Sequence, residues 1–343
     1  MTVTRAGDLS APAALKYHTT DGTATQKSDY TFASGTLRFA PNENSKTITI
    51  PITNDAYVEG DEKFSVECEG LVPGTPIVTT MTIIDNDSVP PGINPADDAQ
   101  FFSRQHYYDF LGRLPDQAGL DYWTGQINSC NALTDPQQRT ACISGRRVGV
   151  SAAFFVEQEF QQTGSFVYRL YKAAYGRAPN YQEFIMDRNN VVGGNGLEAG
   201  KQSLAYEWVL RQDFKQAYPD LLSNIEFVNK LFDTAGLTPY TTERQQEMAA
   251  MNAGRTRAQV LRDVIEVGAF KQREYNPSFV LMQYFGYLRR DADQAGYGFW
   301  LDILNRLPAP NNYRSMVCAF ITSAEYQDRF GPVRTRNDGE CGS

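Results

Sequence analysis

The first 88 residues alternate between apolar and polar positions. Leu37 and Phe39 interleave with Thr36 and Arg38, and Ile48, Ile50 and Ile52 with Thr47, Thr49 and Pro51. Phe64, Val66 and Cys68 interleave with Lys63, Ser65 and Glu67. A period of two lines up one face of a strand, so each run buries one side and wets the other. Turn-forming pairs separate the runs: Asp21-Gly22, Pro41-Asn42, Glu59-Gly60 and Pro73-Gly74. The pattern predicts strands over 2–5, 13–20, 36–40, 46–53, 62–68 and 77–84, and short strands at this spacing predict a β-sandwich. Cys68 shares the parity of Phe64 and Val66, so it is expected inside as a small hydrophobe.

The period changes after Val89-Pro90-Pro91-Gly92-Ile93-Asn94-Pro95. Proline at this density continues neither a strand nor a helix, so residues 89–98 read as a semi-stiff linker between two independently folding parts. From residue 99 the apolar positions recur at helical spacing, and the pattern repeats. Phe102, Phe166, Phe227 and Phe279 each open a similar run, followed five residues later by Tyr107, Tyr171, Phe232 and Tyr284. Copies one and four match further, Arg113 to Trp123 aligning with Arg290 to Trp300. Asp116 and Asp293 are expected to cap the helices that follow them, and Ser151 and Ser323 to cap later ones. Aromatic stripes such as Phe154-Phe155, Tyr206 with Trp208, and Phe320 with Tyr326 are expected to be core. The fold class is therefore multidomain, β plus α. An Ig-like sandwich occupies 1–88, a linker 89–98 and an all-α repeat domain 99–331, in four copies or two tandem units. The polar tail 332–343 is expected to be disordered.

Charge sharpens this picture. Of the 40 acidic residues, 12 fall in residues 1–88, against only six of the 32 basic ones. An acidic first quarter argues against nucleic acid, whose phosphates need a basic face. It suits a cation site. No run of apolar residues is long enough to span a membrane. The chain opens directly on a strand and is expected to be a piece of a longer protein. Five cysteines and two histidines, His18 and His106, offer no zinc-ligand spacing. Cys130 and Cys142 flank a polar loop; they read either as a disulfide, favouring an exported protein, or as two free thiols.

Strand direction makes a finer point. If successive strands alternate, the second, fourth and sixth end at one pole. Those ends carry Asp21, then Asn54-Asp55 with Glu59 nearby, then Asp85-Asn86-Asp87. Converging carboxylates repel one another unless a cation joins them, and Ca²⁺ takes six to eight oxygens. The same residues also read as turn formers with solvated side chains.

The motifs carry a resemblance that bears on this choice. Thr20-Asp21-Gly22-Thr23-Ala24, Ser28-Asp29-Tyr30, Gly35-Thr36-Leu37-Arg38-Phe39, Lys46 to Ile50, Glu59 to Phe64 and Thr82 to Asp87 stand in the order of the Calx-beta module. The segment resembles that family, which occurs in sodium–calcium exchangers and many bacterial surface proteins. The resemblance implies Ca²⁺ as cofactor, with ligands at Asp21, Asp55, Glu59, Asp85 and Asp87. It also implies a first strand ahead of Met1 that this sequence lacks. Asn54 and Ala56 stand where acid is expected, which lowers the expected affinity toward about 10⁻⁴–10⁻³ M.

The helical part resembles a bacterial phycobilisome-linker-like family of unknown function. The likeness rests on Tyr107 to Arg113, Gly119 to Trp123 and Ala319 to Tyr326. No nucleophile-and-base pair of known type is visible, and Gly193-Gly194-Asn195-Gly196 lacks the flanks of a phosphate loop. The expectation is a non-catalytic extracellular or cell-surface interaction protein. Its Ca²⁺-binding sandwich presents a helical domain to a protein or glycan at the cell surface. The alternatives are a structural spacer of a larger exported protein and a glycan-active enzyme with a carboxylate site in the helical domain.

Overall fold

The computed structural model describes residues 1–70, 76–88, 93–156, 158–237, 242–306 and 311–334. The Pro73-Gly74 turn, the Pro-rich start of the linker at 89–92 and the tail from 335 lie outside the described residues. The chain divides into two compact units. One comprises Met1–Val156, Gln283–Arg290 and Leu307–Ser343, and the other Glu157–Met282 and Asp291–Arg306.

In the first unit six strands form: β1 (Thr2–Thr4), β2 (Ala13–Thr20), β3 (Ser34–Phe39), β4 (Ser45–Thr47), β5 (Glu62–Gly70) and β6 (Ile77–Ile83). They make two antiparallel sheets, β1-β4 and β3-β2-β5-β6. The inward parity read from the sequence holds: Leu37, Phe39, Ile48, Phe64, Val66 and Cys68 are buried together in the core. Cys68 is a free thiol. The predicted fourth strand is cut short at Thr47, leaving the isolated bridge of Ile52 to Tyr30. Because β2 and β6 both run antiparallel to β5, they point the same way. Their C-terminal ends, and the N-terminal end of β5, therefore meet at one pole.

The same unit contains helices α1 (Ala99–His106), α2 (Gln117–Asn128) and α3 (Pro136–Val156). The π-helical turn Tyr107–Leu111 follows α1, and a second, Tyr284–Leu288, stands at the matching place in copy four. The two turns press together so closely that a Cβ on Gly286 would run into the Phe110 ring. Phe102, Phe110, Phe154, Phe155 and Tyr287 are all buried here. Asp116 caps α2 through the Gly119 N–H at 2.8 Å, as expected. Ser151 does not cap a helix: it lies inside α3, buried, with its hydroxyl bonded to His106 Nε2. Cys130 and Cys142 form a disulfide, Cα to Cα 5.7 Å.

The second unit packs α4 (Gln158–Gln162), α5 (Gly164–Tyr175), α6 (Tyr181–Arg188), α7 (Leu197–Leu210), α8 (Gln212–Ala217), α9 (Asn224–Thr234), α10 (Thr242–Asn252) and α11 (Arg257–Glu266). It also holds most of α12 (Gly268–Gln283) and α13 (Gln294–Arg306). Helix α5 sits against α9 and α11, burying Phe166, Phe227 and Ile265. Capping boxes start α6 at Asn180, α9 at Ser223 and α11 at Thr256, satisfying the first free amides of each helix. The remaining helices, α14 (Asn311–Thr322) and α15 (Ala324–Gln327), belong to the first unit, and Ser323 caps α15.

Candidate metal site

One pole of the sandwich holds a pocket of about 230 Å³ lined by Asp29, Asp55, Glu59, Glu62, Asp85 and Asp87, with no lysine, arginine or histidine in its lining. Four of these six carboxylates are the predicted Asp55, Glu59, Asp85 and Asp87. Asp29 and Glu62 were not expected there. Glu62 opens β5, opposite Ile83 near the end of β6. A strand running the other way begins at the pole where its neighbours end.

The geometry separates ligand-like carboxylates from loop-forming ones. Asp29 is buried. Its Oδ2 accepts the Thr25 N–H at 2.6 Å, whereas its Oδ1 is buried without a hydrogen-bond donor. One oxygen each of Asp29, Glu59 and Glu62 lies within 4.8 Å of the others. That is about the span of two oxygens bound to one Ca²⁺ at 2.3–2.6 Å each. Asp85 plays a different part. Its Oδ2 accepts the Glu59 and Gly60 N–H groups at 2.9 and 2.7 Å, and its Oδ1 accepts the Asp87 N–H at 2.9 Å. These backbone bonds hold its carboxyl below its ordinary range and tie the 59–60 turn to the end of β6. Asp55 accepts the Tyr57 N–H at 2.8 Å.

Asp21 is not in the pocket lining. Its Oδ1 accepts the Gln26 N–H at 2.8 Å and the Tyr30 hydroxyl, closing the 21–30 loop over the sandwich end. Tyr30 in turn stacks on Phe64 at 4.3 Å between ring centres. Asp21 thus shapes the loop that delivers Asp29. Gly22 sits so close to β5 that a Cβ there would meet the Lys63 carbonyl. Asn54 lines the pocket. Ala56 is buried, and its N–H donates to Phe330 O at 2.9 Å, so a carboxylate at that position would be desolvated rather than aimed at the pocket.

The electrostatic state follows from crowding. Burial, then the neighbouring Glu59, Asp29 and Asp87, push the Asp55 carboxyl up to about 7. Burial, then Asp29 and Glu59, push Glu62 up to about 7. Glu59 is raised by burial first and Asp29 next. Acids held this far above their ordinary range are strained when ionised and relax on binding a proton or a cation. Oxygen-only ligands without imidazole or thiolate suit a hard divalent cation rather than zinc.

A second constellation invites a chemical reading. His106 Nδ1 bonds to Phe102 O at 2.8 Å and its Nε2 to Ser151 Oγ. Both residues have no exposed surface, and burial lowers the imidazole to about 4. A neutral histidine sealed among Phe102, Phe110, Phe154 and Tyr287 stitches α1 to α3 and meets no solvent.

Comparison with known proteins agrees with the fold at this pole. Residues 1–87 match the Calx-beta domain family and form a Calx-beta domain. The same region is 35% identical over 104 residues to sodium/calcium exchanger 1 of Mus musculus, covering 24% of this chain and 11% of that protein. It is 34% identical over 89 residues to the sodium/calcium exchanger Calx of Drosophila melanogaster, covering 25% and 9%. The matched segment is thus about a tenth of the length of these relatives. A solved apo-form Calx CBD1 domain is 31% identical, covering 25% of this chain and 80% of that one, with a TM-score of 0.24. Among the described residues no helix is long and apolar enough to cross a membrane.

Proposed function

We propose that the Calx-beta domain at residues 1–87 binds Ca²⁺ at its acidic pole, with Asp29, Glu59 and Glu62 at the centre and Asp55 and Asp87 beside them. Asp85 acts as the organiser of the loops. The observation that carries this reading is the convergence of one oxygen each of Asp29, Glu59 and Glu62 within 4.8 Å of one another, in a pocket lined by no base. Carboxylates crowded and buried together in this way repel one another unless a proton or a cation joins them. The sodium/calcium exchangers that share this domain are consistent with Ca²⁺ as that partner. Calorimetric titration of the full chain with CaCl₂ tests it. Heat of binding with a Kd at or below about 10⁻³ M is expected. A flat titration at millimolar Ca²⁺ refutes it.

The chain as a whole acts, in this reading, as a non-catalytic interaction protein outside the cell or on its surface. The Cys130–Cys142 disulfide supports an oxidising compartment. Tyr122 and Phe299, at matching positions of copies one and four, are each 58% exposed, and such aromatics favour a protein or glycan partner for the helical repeats. A pull-down from an envelope fraction with and without Ca²⁺ tests the partner claim, and capture unchanged by Tyr122→Ala together with Phe299→Ala contradicts it.

A further inference from the structure

The loops that carry the acidic cluster are held from outside the sandwich, by the helical part of the same unit. Arg289 donates to the carbonyls of Gln26 and Tyr30, the latter at 2.7 Å, and Arg329 Nε donates to Lys27 O at 2.9 Å. These three carbonyls bracket Asp29. The second acidic loop is gripped at its middle. Between Asp55 and Glu59, the Ala56 N–H donates to Phe330 O at 2.9 Å, and the Tyr57 hydroxyl donates to Asp328 Oδ1 at 3.0 Å and Gly331 O at 2.9 Å.

Arg289 is unusual in its backbone as well. Copies one and two end the equivalent turn on glycine, Gly112 at φ 63° and Gly176 at φ 70°, whereas copy four places Arg289 there at φ 49°. A side chain in that left-handed region is strained where glycine is not. The guanidinium offsets that strain through its carbonyl bonds and through Asp109. Asp109 Oδ1 accepts from Arg289 at 2.8 Å and from Arg329 at 3.0 Å, all three side chains being at most 4% exposed. Burial alone would raise Asp109, but Arg329 and Arg289 hold it below its ordinary range. Two guanidiniums against one carboxylate leave net positive charge under the loop that aims Asp29 at the pocket.

We infer that Arg289, Arg329 and the 328–331 segment are positioning elements of the cation site, so that cation binding and packing of the helical part on the sandwich are thermodynamically linked. The clamp fixes the Asp29 loop and the Asp55–Glu59 loop at the separation one ion bridges. An ion between them in turn draws both loops onto the residues that clamp them. Linkage is reciprocal, so each event strengthens the other by the same factor. This inference rests on the Ca²⁺ reading of the acidic pole.

The test uses the full chain and CaCl₂, with wild type, Arg289→Gly and Tyr57→Phe compared by calorimetric titration. Arg289→Gly removes the guanidinium while relieving the backbone, and Tyr57→Phe removes one hydroxyl from the other loop. Kd is expected to weaken at least about fivefold in Arg289→Gly and about twofold or more in Tyr57→Phe. Amide exchange of residues 327–331 is expected to slow on adding Ca²⁺ in wild type and to respond less in Arg289→Gly. A wild type that binds Ca²⁺ with both variants unchanged in Kd overturns the linkage and leaves the Ca²⁺ reading standing. A wild type that binds no Ca²⁺ overturns both. If Arg289→Gly fails to fold, Tyr57→Phe alone decides.

Discussion

Replacing Asp109 by Asn keeps the shape of the side chain and removes the charge that two buried guanidiniums share. Asp109 and Arg329 are each 1% exposed and Arg289 is 4% exposed, so water does not replace the lost partner. An amide still accepts hydrogen bonds through its oxygen, but its NH₂ now faces the Arg329 donor that Oδ2 accepted. Breaking a buried pair by removing one member costs about 3–5 kcal/mol, because the remaining charge stays desolvated. Here two charges are left, so the loss is expected at the upper half of that range, about 4 kcal/mol. Domains of ordinary stability hold about 5–15 kcal/mol in all. Asp116→Asn is the matched control: it is exposed, its role is a cap, and asparagine caps as well as aspartate, so a change under about 0.5 kcal/mol is expected. Urea unfolding of both variants, followed by near-ultraviolet dichroism, reads the difference. An Asp109→Asn loss below about 1 kcal/mol would refute the reading that the two buried guanidiniums depend on the Asp109 charge.

Other outcomes follow from the acidic pole. Asp55 and Glu62 hold protons up to about 7, above their range in an unfolded chain, so without cation they favour the folded state at low pH. Stability should therefore fall as pH rises from about 4 to about 7 in EDTA, and the fall should shrink in 10 mM Ca²⁺; melting curves that match in the two buffers contradict this. Asp29→Asn is expected to raise the melting temperature in EDTA, by relieving repulsion with Glu59 and Glu62, and to abolish the Ca²⁺-induced rise; a retained rise refutes Asp29 as a ligand. Gly22→Ala forces a methyl group against the Lys63 carbonyl and is expected to destabilise the domain by about 1–3 kcal/mol in urea, an effect that wild-type stability would disprove.

What the sequence disclosed follows from the range of the physics. Strand parity is local, so Leu37, Phe39, Ile48, Phe64, Val66 and Cys68 were placed inside from alternation alone. The pole of Asp55, Glu59, Asp85 and Asp87 followed from strand direction. Asp29 and Glu62 escaped because one lies in mid-loop and the other at a strand start, and Asp21, though it follows a strand end, turns its Oδ1 to Gln26 and Tyr30. Ser151 has the local form of a helix cap, and only the fold brings His106 to it across 45 residues. The clamp was illegible for the same reason. Arg289 meets Tyr30 across 259 positions, and nothing near Arg289 in the chain signals a carbonyl target. The Pro-rich run suggested a break between sandwich and helices. The structure instead groups the sandwich with α1 to α3, the second π-turn and the chain's last helices in one compact unit.

The most direct test is a crystal structure grown in Ca²⁺ with anomalous scattering measured. The account predicts an anomalous peak at about 2.3–2.6 Å from Asp29 Oδ1 and from carboxylate oxygens of Glu59 and Glu62. Clear density for this pole with water, or nothing, between those three side chains would contradict it.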